Sequence, residues 1–64
     1  MIRDSKKFEL KVIYAREYPR YDSFSEYVYG KDKANDRVHR LSEDLWTLLK
    51  MGLIADYQIE VMEV

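Results

Sequence analysis

His39 is the only histidine in this 64-residue sequence. It is also the only side chain whose ordinary pKa lies near neutrality. A hydrolytic triad needs a nucleophile and an orienting acid to converge on the imidazole. Asp36, Ser42 and Glu43 lie within one helical turn of it, so they can only cap or pair with it along a helix surface. Two carboxylate pairs are present. Asp56 and Glu60 sit on one strand face about 13 Å apart, too far to share a metal or work as a paired acid and base. Glu43 and Asp44 are helix neighbours pointing in different directions. Gly30 and Gly52 are the only glycines, and neither fits a phosphate-binding loop. Cysteine is absent, which removes disulfides and thiolate metal sites. The residue set leads to no cofactor, no metal and no catalytic centre, and a non-catalytic protein is the expectation.

The chemistry that remains is recognition. Between positions 14 and 29 stand Tyr14, Tyr18, Tyr21, Phe24, Tyr27 and Tyr29, with Arg16 and Arg20 among them. Tyrosine and arginine offer large amphipathic contact area at low entropic cost and are enriched at binding hot spots. Tyr14 and Tyr57 read as residues edging a small core with their hydroxyls in water. Trp46 falls on a helix flank with Asn35, His39 and Ser42, as a lid over the sheet's edge or a partner anchor. The candidate partner-binding set is therefore Tyr18, Arg20, Tyr21, Tyr27, Tyr29 and Trp46. Another protein is the expected partner. Nucleic acid, met by a basic N-terminal strand and loop with tyrosine stacking, ranks behind it, because the net charge is only −1 and nucleic-acid binders are usually strongly basic.

That charge is unevenly placed. Residues 1–20 carry Arg3, Lys6, Lys7, Lys11, Arg16 and Arg20 against Asp4, Glu9 and Glu17, while residues 41–64 carry Lys50 against Glu43, Asp44, Asp56, Glu60 and Glu63. The ends of the chain are expected to attract each other within the fold. Hydrophobic content of 47% is too high for a disordered chain, even with 36% charged residues. No apolar run approaches the roughly 20 residues of a membrane span. No apolar stretch follows Lys6 and Lys7 as it would in a signal peptide. The chain reads as cytoplasmic, with no membrane partner.

Recognition residues need elements to hold them. Phe8, Leu10, Val12 and Tyr14 fall on one face at period two, the mark of a half-buried strand. Arg16 to Ser23, with Pro19 inside, reads as a loop. Phe24 to Tyr29 is ambiguous. Ser23 with Glu26 resembles a helix capping box, yet Tyr27-Val28-Tyr29 has strand composition. A continuous helix over 24–51 would run about 42 Å, well beyond a strand of roughly 24 Å, so a short second strand ending at Gly30 is expected. Asp32 then reads as the N-cap of a helix from about Lys33 to Met51. Its apolar stripe is Ala34, Val38, Leu41, Leu45, Leu48 and Leu49. Gly52 is the left-handed stop, with Leu53 folding back on the last turn. Ile54 to Val64 alternates again, with Ala55, Tyr57, Ile59 and Val61 on one side.

The expected architecture is α+β in the order strand, strand, helix, strand. A three-stranded, mostly antiparallel sheet has the first strand in its middle and the helix on one face. The alternative is a strand–helix–strand unit with parallel strands. The other sheet face is charged except for Ile13, Met62 and Val64, which Ile2 is expected to join as a cluster. A domain this small buries only about 60% of its unfolded surface, and with no disulfide or metal to staple it a partner chain is the remaining support. The last strand lies at the sheet edge with neither lysine nor proline to protect it. A homodimer through Ile59, Val61, Met62 and Val64 is the corresponding expectation.

Overall fold

The computed structural model describes residues 6–64. Strand β1 spans Lys7–Glu17, β2 spans Arg20–Tyr29, helix α1 spans Lys31–Lys50 and β3 spans Asp56–Glu63. The sheet order is β2-β1-β3, and both pairings are antiparallel. The fold is therefore the expected α+β arrangement, with the first strand central, and the parallel strand–helix–strand alternative is excluded.

Period-two burial explains β1. Leu10 and Val12 are fully buried on the face toward the helix, and Phe8 and Tyr14 pack beside them. From the helix, Ala34, Leu41 and Leu45 complete the core with Ile54, while Val38, Leu48 and Leu49 pack against it half-buried. Each residue of the sequence-derived stripe thus meets the core.

Helix α1 begins two residues earlier than expected. Its N-cap is Gly30, with φ 97°, and no side chain caps it. Asp32 lies instead inside the first turn, where a carboxylate suits the positive end of the helix dipole. The early start is tied to the sheet, since the Gly30 N–H donates to the Lys6 carbonyl at 2.9 Å. That bond turns the chain from β2 into the helix with no intervening loop. The C-terminus follows the expectation. Gly52 has φ 80°, its N–H donates to Leu49 O, and the Leu53 N–H donates to Leu48 O. These two bonds satisfy the last carbonyls of the helix in a Schellman arrangement.

The segment expected to be a loop, 16–23, is mostly strand. Only Tyr18 and Pro19 form the turn, joined by a cis peptide bond. Arg20 pairs with Glu17, Tyr21 with Ala15, Asp22 with Tyr14 and Ser23 with Ile13, with an irregularity between Ala15 and Glu17. Ser23 and Glu26 form no capping box. Both lie in β2, and Glu26 accepts an ion-paired hydrogen bond from Arg37 of the helix. The last strand is shorter than expected: Ile54 is a core residue ahead of it and Ala55 is exposed.

Antiparallel pairing also separates the expected apolar cluster on the outer face. Ile13 lies opposite Gln58, whereas Met62 lies opposite Glu9 near the other end of the sheet. The C-terminal ends of β1 and β3 point opposite ways, so Ile13 cannot join Met62 and Val64. The contribution assigned to Ile2 lies outside the described residues. Among those residues, no helix is long and apolar enough to cross a membrane.

Candidate functional site

Two backbone bonds fix which side of every strand faces which neighbour. Gly30 N–H to Lys6 O belongs to the β1–β2 ladder, and Val64 N–H to Lys7 O belongs to the β1–β3 ladder. Hydrogen-bonded pairs alternate along antiparallel strands. Even-numbered residues of β1 therefore bond to β2 and odd-numbered ones to β3. Opposed residues share a face, so Tyr21, Ser23, Ser25, Tyr27 and Tyr29 project from the face away from the helix, as Lys7, Glu9, Lys11, Ile13 and Ala15 do on β1.

Tyr21, Tyr27 and Tyr29 thus stand in a row on one edge strand, and Tyr18 extends the row at the turn. All four are exposed, at 44 to 67%. The Lys7 ammonium sits 4.7 Å from the centre of the Tyr27 ring. Ser25 donates to Glu9 at 2.9 Å. At the other end the Tyr18 and Tyr21 rings meet edge to face, with centroids 5.7 Å apart.

Tyr21 also crosses the sheet. Its hydroxyl donates to Asp56 Oδ2 at 2.8 Å. Tyr21 and Asp56 are the partners of Ala15 on its two sides, so the bond passes over Ala15, which is fully buried beneath it. Only a small residue at position 15 leaves room for this bridge. Hydrogen bonding with Tyr18 first, and with Asp56 second, raises the Tyr21 phenol above its ordinary pKa.

The remaining candidates lie elsewhere. Arg20 alternates with Tyr21 and so points to the helix side of β2. Trp46 belongs to the opposite layer, on the flank of α1 nearest β3. It is 52% exposed and borders a depression of about 610 Å³ with Ser42, Glu43, Thr47 and Tyr57. The Lys50 ammonium lies 5.0 Å from its ring. The tyrosine row and Trp46 therefore form two surfaces, not one.

One feature escaped the sequence. An apolar groove of about 540 Å³ opens beside the last turns of the helix, floored by Tyr14, Leu45, Leu48 and Ile54 and walled by Phe24, with Arg16 and Asp44 also lining it. It exists because β1 and β2 continue past the helix as an uncovered hairpin. Phe24 shares the helix-facing side of β2 with Glu26 and Val28. Its ring lies 6.3 Å from that of Tyr14 at 66°. The period-two spacing from Phe24 to Val28 carried this signal, but it could be used only once 16–23 was known to be strand.

His39 is exposed on the helix surface. Asp56 and Glu60 serve separate partners, Tyr21 and Gln58. Among the described residues, no three His, Asp or Glu side chains gather into a metal-binding group. The chain matches no family model, and no curated protein or solved structure matches it.

Proposed function

We propose that this protein is a non-catalytic binding module that recognises another protein through the tyrosine row of β2. The observation that carries this reading is the alignment of Tyr21, Tyr27 and Tyr29 on one solvent-facing strand edge, with Tyr18 beside them. None of these rings contributes to the buried core. Aligned amphipathic rings on a rigid strand make contact area with little ordering cost on binding. The charges around them favour protein over nucleic acid. Lys7 is engaged by Tyr27, and the same face carries Glu9, Asp56 and Glu60 beside Lys11.

The test replaces Tyr27 and Tyr29 with alanine. Both are exposed, so each change is expected to leave folding stability within about 0.5 kcal/mol. Affinity-capture from nuclease-treated host extract should recover a protein with the wild type and lose it with the double variant. Its retention should change little with salt. Recovery that depends on nucleic acid and falls steeply with salt through counterion release would overturn the reading, as would a double variant that unfolds.

A further inference from the structure

We infer that two copies of this chain pair their β3 edges antiparallel about a two-fold axis through Ile59, forming a continuous six-stranded sheet. Among the described residues both edges of the sheet are open, but they are not equivalent. The helix-facing side of β2 reads Asp22, Phe24, Glu26, Val28, and Arg37 reaches over it to pair with Glu26. Such inward charges guard an edge. The corresponding side of β3 reads Tyr57, Ile59, Val61, Glu63, with its one charge at the end of the strand rather than within it. By the same alternation that fixes the ladders, the backbone N–H and C=O groups of these four residues point away from β1.

The register follows from charge. A two-fold axis at Glu60 would set Glu60 against its own copy, and an axis at Gln58 would set Asp56 against Glu60. An axis at Val61 leaves Tyr57 unpaired. The axis at Ile59 places Ile59 on Ile59, Tyr57 on Val61, Gln58 on Glu60 and Asp56 on Met62. It brings no carboxylate opposite another and pairs the strand from Asp56 to Met62, with Glu63 opposite Ala55.

This pairing also accounts for two exposed residues that the single chain leaves unexplained. Val61 faces the helix layer yet is 48% exposed, outside the set of residues packed against the core. Trp46 lines one depression with Tyr57 on the same side. In the dimer, Tyr57 of one copy abuts Val61 of the other, which brings Trp46 to the uncovered Val61. The contact is made twice, as an isologous interface requires.

Sedimentation equilibrium across micromolar concentrations tests the proposal. The wild type should dimerise, and Trp46 emission should shift to the blue as it does. Val61→Lys should weaken association by on the order of tenfold or more while keeping the wild-type far-ultraviolet circular dichroism. Met62→Lys sits on the wet face opposite Asp56 of the second copy, so it should tighten association. If Val61→Lys fails to fold, the sign of the Met62→Lys effect decides alone. A wild type that stays monomeric, a dimer weakened by Met62→Lys, or association without a change in Trp46 emission overturns the proposal.

Discussion

Among single residues, Ala15 has the largest consequence for its size. It lets Tyr21 reach Asp56 over its methyl group and so ties the two outer strands together on the face away from the helix. The raised Tyr21 pKa gives this tie a pH signature. The folded state holds the phenolic proton more tightly than the unfolded chain does. The resulting stabilisation is therefore complete below the ordinary phenol pKa of about 10 and is lost as pH climbs toward the folded-state value. Tyr21→Phe should remove a late-titrating component from the phenolate absorbance curve. The stability advantage of wild type over this variant should shrink above about pH 10. An advantage that grows with alkalinity would contradict the assignment. The tyrosines were legible as surface residues because their number and crowding between positions 14 and 29 exceed what so small a core can bury. Their sorting was not, since whether Arg20 or Tyr21 faces the helix depends on a strand register that no local pattern displays.

At the scale of elements, the helix and strands β1 and β3 were readable because each carries a long apolar period. Leu45 lies at the centre of the helix stripe and is only 7% exposed against Leu10, Val12 and Ile54. Leu45→Ala should cost on the order of 2–5 kcal/mol, seen as a lowered midpoint in chemical denaturation. An unchanged midpoint would mean that the helix turns a different face to the sheet. The strand β2 was read too short for a physical reason. Pro19, Asp22 and Ser23 are turn formers by local preference, and only pairing with Ala15, Tyr14 and Ile13 of β1 overrides that preference. The helix start was displaced by the same kind of tertiary constraint, since the Gly30 bond to Lys6 sets it and Asp32 does not.

For the molecule as a whole, one sheet and one helix give one covered face and one open face, with Tyr21, Tyr27 and Tyr29 exposed on the open one. On that open face Lys11 lies directly between Ser25 and Glu60 in register. Dimerisation through β3 would put a tyrosine row at each end of the extended sheet, giving a bivalent protein whose avidity depends on the spacing of its targets. The central strand also has a consequence for motion. Its amides are divided between two neighbours of very different origin: Phe8, Leu10, Val12 and Tyr14 bond to the nearby hairpin strand, while Glu9, Lys11 and Ile13 bond to β3, which reaches them only after the helix has crossed the sheet. Local opening proceeds through cooperative units of unequal stability. If β3 detaches while the hairpin holds, hydrogen exchange along this single strand should alternate, the odd-numbered amides exchanging faster than the even-numbered ones beside them. One strand would then report two separate opening events, residue by residue.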